Sequence, residues 1–189
     1  MADTTHTSDI LTQMNLKVGR GSLVYAKVRA ILELELVPLM QATLSVEEFT
    51  RIKPKAFRFA GQDLGQPDDP TAWPVVQIGG ATTYEAMGIG FSGDFNVSAA
   101  CVIPGRMLDV DLFLLSRDVG DLIRAVFQFP AYQGVVMDGT TCVWSYLAPS
   151  AVDVIRDPNG TYSGHACRLT IKQAPGGSHW YVPPPPGTP

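Results

Sequence analysis

Residues 109–129 read DVDLFLLSRDVGDLIRAVFQF, and the way this stretch folds decides the class of the whole chain. Leu112, Leu115, Val119, Leu122 and Val126 recur at steps of three and four, which puts them on one side of a helix with 3.6 residues per turn. Asp118, Asp121 and Arg124 fall on more exposed faces. Asp109 and Asp111 stand near the start, where the free backbone N–H groups of a helix favour acidic side chains. Pro130 stops the pattern. Phe113 and Leu114 make the first turns apolar all round, so a strand there, with a shorter helix from Ser116, is the alternative to one continuous helix, which is preferred. Either element has a broad apolar side and needs a sheet to cover. Strand-like segments flank it in the sequence.

Upstream, residues 22–41 form a first helix. Tyr25, Val28, Leu32, Leu36 and Leu39 make its stripe, Lys27, Arg29, Glu33 and Glu35 its polar positions, and Pro38 predicts a kink or an end. Ser45 with Glu48 three residues later is a capping-box pattern that predicts a short helix over 46–52. Residues 52–66 read as irregular, with Arg51, Lys53 and Lys55 as solvated charges. The run Trp73-Pro74-Val75-Val76-Gln77-Ile78 is the first strand, closed by Gly79-Gly80. Residues 81–94 read as a glycine-rich hairpin connection with a weak strand around 89–91. Phe95, Val97, Ala99 and Cys101 then alternate with Asn96, Ser98 and Ala100 as a half-buried strand.

Downstream lie strand candidates at 134–137, 140–146 and 151–155. Asp157-Pro158-Asn159-Gly160 is the strongest turn signal in the chain and leads into a last strand over 162–173, paired with 151–156 or with the strand before it. The expected class is α+β: a mixed, mainly antiparallel sheet packed by the N-terminal and central helices. Residues 1–21 read as a flexible polar arm, 22–173 as a single domain, and 174–189 (APGGSHWYVPPPPGTP) as a flexible proline-rich tail or a docking peptide anchored by Trp180 and Tyr181.

Composition excludes several functions. A net charge of −4 with no Lys/Arg cluster argues against a nucleic-acid groove. Cys101, Cys142 and Cys167 are far apart and odd in number, which fits buried thiols in a reducing compartment. No apolar signal core or membrane-length apolar run is visible, so a soluble chain is expected. Charged residues are 17 %, below the usual quarter. That shortage fits either a surface buried against other subunits or a neutral, glycine-rich surface.

Catalytic signals are weak. Gly88-Ile89-Gly90-Phe91-Ser92-Gly93 matches GxGxxG, but the following Asp94-Phe95-Asn96-Val97-Ser98 alternates like a strand, whereas a dinucleotide loop opens a helix. His165 has no partner at zinc-ligand spacing. Cys167 shares a strand face with His165, and Asp153 is a conceivable orienting group, yet no oxyanion motif accompanies them. No catalytic, cofactor-binding or metal residue is therefore assigned, and the expectation is a protein that is not an enzyme.

The order of elements resembles the tail terminator proteins of long-tailed bacteriophages, also filed as minor tail or neck proteins. The likeness rests on the helix Tyr25-Ala26-Lys27-Val28-Arg29-Ala30-Ile31-Leu32-Glu33, the strand opening Trp73-Pro74-Val75-Val76, the helix end Leu122-Ile123-Arg124-Ala125-Val126-Phe127, and Tyr162 before Ala166-Cys167-Arg168-Leu169-Thr170-Ile171. It implies a structural virion protein, assembled in the host cytoplasm, that forms a hexameric ring. Such a ring caps the tail tube, stops its polymerisation and joins it to the head connector. DNA passes its lumen without specific binding, and neither cofactor nor membrane is involved. Tyr84, Phe91, Leu112, Phe113, Arg117, Arg124, Trp180 and Tyr181 are the interface candidates. A head-closure or connector subunit and a tail-tube subunit are the alternatives within the same particle, the tube subunit calling for more β structure and a long polymerising loop. A small soluble binding module or an enzyme is the alternative outside it.

Overall fold

The computed structural model describes residues 4–60, 72–87, 90–105, 109–138 and 141–173, with side chains for 22–60, 72–83, 93–105, 109–136, 138 and 143–173. Its helices are α1 (Thr4–Thr43), α2 (Val46–Ile52), α3 (Val110–Gln128) and α4 (Pro130–Gln133). Its strands are β1 (Ala56–Phe59), β2 (Val75–Met87), β3 (Gly90–Pro104), β4 (Val136–Asp138), β5 (Thr141–Trp144), β6 (Tyr146–Arg156) and β7 (Tyr162–Gln173).

The central stretch is one helix. The Asp109 side chain caps it by accepting the Leu112 N–H at 2.9 Å, as the sequence indicated. Its buried side is Leu115, Ser116, Val119, Gly120, Ile123, Val126 and Phe127. That side is turned slightly from the expected stripe, for Leu112 and Leu122 are only half-buried. Gly120 gives the reason. A Cβ at this position would stand 2.8 Å from Val152 Cγ1, so the helix comes closest to the sheet where it has no side chain. Pro130 ends α3 and opens α4, where its missing N–H is not needed.

Helix α1 buries Val24, Val28, Ile31, Leu32, Leu36 and Met40, with Tyr25 and Leu39 half-buried beside them. One expectation needed correction. From Thr4 onward the segment read as a loose arm is helix, because extending a formed helix costs far less than starting one and no proline precedes Pro38. The helix includes Pro38, as the 22–41 stretch did, and ends at Thr43. Pro38 faces outward, four residues after the exposed Leu34, whose carbonyl can bond water in place of the missing N–H. Residues 1–3 and the proline-rich segment 174–189 lie outside the described residues.

Five strands form the main sheet in the order β1-β2-β3-β7-β6, antiparallel except for the parallel β1–β2 pair. Strand β1 replaces an expected irregular stretch. Strand β2 does not stop at Gly79-Gly80 but pairs with β3 from Val75↔Val102 to Met87↔Gly90. Most of the glycine-rich connection is thus ladder, since backbone hydrogen bonds need no side chain. Strand β6 extends the candidate at 151–155 back to Tyr146, while most of the candidate at 140–146 is the separate strand β5. The β6–β7 turn is as expected: Gly160 N–H donates to Asp157 O at 2.9 Å, Thr161 N–H to Asp157 Oδ2 at 3.1 Å, and Gly160 takes φ +70°.

The sheet's two faces differ. Val76, Ile78, Phe95, Val97, Ala99, Cys101, Ile103, Cys167, Leu169 and Ile171 pack against α1 and α3 in one core. Each fully buried Leu, Ile or Phe stabilises by up to about 1.5–3 kcal/mol, so neither helix is dispensable to the sheet. The opposite face carries no helix among the described residues. One end holds a small cluster of Trp73, Val75, Ala100, Val102 and Ala166, and the other presents Gln77, Asn96, Ser98, Arg168 and Thr170. The β4–β5 ribbon is fixed by side chains: Trp144 Nε1–H donates to Tyr132 O at 2.9 Å, Gln173 Nε2 to Val143 O at 2.8 Å, and Tyr132 OH to Glu35 Oε1 at 2.9 Å.

Candidate functional site

Of the groups imagined as a catalytic set, Asp153 is separated from His165 and Cys167 by the sheet. His165 faces α3 and is only 4 % exposed, and its Nδ1 lies 2.8 Å from Ser116 Oγ. Asp153 stands on the other face, ion-paired with Arg168 at 3.4 Å. Burial pushes the Cys167 thiol up to about 11 and Cys101 up to about 12, so both are protonated at neutral pH. The His165 imidazole is held below its ordinary value, first by burial and then by the Arg117 charge, against which Asp121 and Asp118 act weakly.

The serine partner escaped the sequence reading. Ser116 is fully buried between Leu115 and Val119, within the apolar side of α3. Its hydroxyl donates to Phe113 O at 2.7 Å, so its lone pair accepts from His165 Nδ1–H. This fixes the imidazole tautomer and leaves Nε2 as the basic nitrogen. The Phe113 ring lies against the imidazole with centroids 4.5 Å apart. A hydroxyl already committed to its own helix as donor is a structural clasp between α3 and β7. A hydroxyl poised to attack would give its proton to the imidazole.

A cleft of about 310 Å³ opens beside this clasp, between the first turn of α3 and the β6–β7 turn. Ile103, Val110, Phe113 and Tyr162 give it apolar walls, with Arg156, Asp109 and Asp157 at its margins. Both carboxylates are already used. Asp109 is held below the usual carboxylate range by the Leu112 N–H and by the Arg51 guanidinium at 2.9 Å, while Asp157 caps the turn. Among the described residues no three His, Cys, Asp or Glu side chains gather as metal ligands. The GxGxxG stretch is strand from Gly90 onward, so it does not open a helix.

What stands out beyond these is the β2–β3 hairpin. Strand β1 pairs with β2 only as far as Phe59↔Ile78, and β7 pairs with β3 only as far as Gln173↔Gly93. Among the described residues, 85–87 and 90–92 therefore have ladder partners only in each other. Three residue pairs beyond the sheet, 85 with 92, 86 with 91 and 87 with 90, make an arm about 10 Å long.

The interface candidates scatter over this fold. By register Tyr84 lies at the base of the arm and Phe91 on it, with side chains outside the described set. Leu112 and Phe113 pack on the core, Arg117 is exposed, and Arg124 is half-buried on α3. Trp180 and Tyr181 lie outside the described residues. Sequence reasoning did not single out Val110 and Leu114, which are 66 % and 55 % exposed and one turn apart on α3. No known protein-family model matches the chain, and a search of curated proteins finds none similar to it.

Proposed function

We propose that this chain is a structural virion subunit, a tail terminator that forms a ring on the phage tail tube and joins it to the head connector. The observation that carries the reading is the arm. A two-stranded hairpin whose outer edges are unpaired among the described residues is marginal in water by itself and gains stability by lying on another surface. The exposed Val110 and Leu114 on α3, and the sheet face that carries no helix among the described residues, supply surfaces of the kind that neighbouring copies cover. In a closed ring each protomer offers one surface to a different surface of the next.

The test is native mass measurement with negative-stain microscopy, on the intact chain and on a variant in which residues 84–93 are replaced by Asn-Gly. The intact chain should give a closed, six-fold species, alone or on added tail-tube ends. The shortened chain should fold and stay monomeric. An intact chain that remains monomeric in the presence of tube ends overturns the reading. The long arm also favours a second reading, a tail-tube subunit, which would grow stacked rings of unlimited length where a terminator stops at one.

A further inference from the structure

A groove of about 620 Å³ runs between α1 and the β1–β2 edge, walled by Tyr25, Phe59, Ile78, Gly79, Gly80 and Thr82. None of the residues lining it is charged. The Tyr25 hydroxyl lies 3.4 Å from the Thr82 hydroxyl, so one polar pair sits on an otherwise apolar wall. Two aromatic rings with hydroxyl groups between them are the lining that receives proline-rich peptides, whose polyproline II form presents apolar rings and bare carbonyls.

The chain itself carries such a peptide. Residues 174–189 contain no Lys, Arg, Asp or Glu, and place Trp180-Tyr181 shortly before four prolines. They follow Gln173, which is opposite Gly93, which in turn is opposite Tyr84. The exit point is thus two strand spacings, about 10 Å, from β2, and Gly80 lies about 13 Å along that strand from Tyr84. The diagonal is about 16 Å, while the seven residues from 174 to 180 span up to about 23 Å when extended.

We propose that residues 174–189 dock in this groove of their own chain, with Trp180 and Tyr181 against Tyr25 and Phe59 and the proline run along the glycine-lined wall. The Tyr25 and Thr82 hydroxyls share one contact, and the proton it leaves free is the donor for a carbonyl of the peptide. The docking does not depend on ring formation, so failure of one leaves the other standing.

The experiment uses a fluorescent synthetic peptide of residues 174–189 and three proteins: the full chain, a chain ending at Gln173, and that shorter chain with Ala26→Glu. Ala26 is exposed at the groove rim, so the substitution charges the groove without touching the core. Should it fail to fold, Ala60→Glu on the opposite rim takes its place. The shortened chain should bind the peptide saturably. The full chain, with its groove filled, and the charged variant should each bind at least about tenfold more weakly. No binding by the shortened chain overturns the proposal, as does equal binding by full and shortened chains. Binding that survives both rim substitutions gives the peptide another site and overturns it too. So do concentration-dependent dimers lost on truncation, which give the groove to a neighbour's tail.

Discussion

Replacing Ser116 and His165 singly and together tests whether their contact is a clasp that holds α3 on the sheet. In Ser116→Ala the imidazole keeps its Nδ1–H in a site 4 % exposed and loses the acceptor 2.8 Å away. An orphaned buried donor costs about 1–3 kcal/mol, and the better helix propensity of alanine returns a few tenths of that. In His165→Leu the serine hydroxyl still donates to Phe113 O, so nothing is orphaned. What is lost is the packing of the imidazole on Phe113, a loss of about 1 kcal/mol. The double variant should then lie near His165→Leu alone, less destabilised than the sum of the singles by about 1–2 kcal/mol. Urea denaturation followed by tryptophan fluorescence reads all four proteins. The same cycle has a pH signature. The folded imidazole is held below its ordinary value, so below about pH 6.5 the unfolded chain binds more protons than the native one. Stability is therefore full above that value and is lost as pH falls through the folded pKa. His165→Leu should remove that dependence. Additivity within about 0.3 kcal/mol, or an unchanged acid limb in His165→Leu, would refute the clasp.

Three further outcomes follow from the same geometry. Asp109→Ala removes the α3 cap and should cost about 0.5–2 kcal/mol by thermal unfolding, whereas Asp109→Asn keeps the cap and loses only the half-exposed pair with Arg51. Because the folded Asp109 carboxyl titrates below its ordinary value, the cap's contribution is present above that value and fades as pH falls through the folded pKa, a limb that Asp109→Asn lacks. Gly120→Leu drives a side chain into Val152 Cγ1 and the His165 Cβ, and should lose at least about 1–3 kcal/mol in urea, or fail to fold, where an exposed helix position would gain. In the isolated protomer, amides of residues 85–87 and 90–92 should exchange with deuterium far faster than those of 95–103, and become protected when copies assemble.

The central helix, its Asp109 cap, the Ser45–Glu48 capping box, the Asp157–Gly160 turn and the last strand were all legible, because each depends on local chemistry. Periodicity and capping act within a few residues and carry their signal in the sequence. The misread elements depend on something distant. Strand β1 is four residues long and is a strand only because Val75–Ile78 lies beside it. The glycine-rich part of β2 pairs through backbone groups, which leave no side-chain signature. Helix continuation from Thr4 depends on a turn already formed downstream. The Ser116–His165 contact joins residues 49 apart, and only the oddity of a serine inside an apolar stripe pointed to it.

Sparse charge permitted two explanations, a neutral solvated surface or a surface covered by other copies. A surface merely tolerant of neutrality would spread its charges evenly. Here several of the cations are tied up in pairs: Arg29 with Glu33, Arg51 with Asp109, Lys27 with Asp138 and Arg168 with Asp153. Meanwhile Ala26, Ala30, Leu34, Pro38 and Ala42 follow at steps of four along the exposed side of α1 with no charge among them, and Val110 and Leu114 do the same on α3. Apolar side chains segregated onto helix faces, with an arm whose outer edges are unpaired among the described residues, are the surfaces that the proposed coverage by other copies would use. Charge placed on these rows separates the two: Leu34→Lys and Leu114→Glu should leave the urea midpoint of the isolated chain within about 0.5 kcal/mol of the parent while blocking assembly. If both variants assemble like the parent, the rows are ordinary solvated surface and the low charge content carries no message about partners.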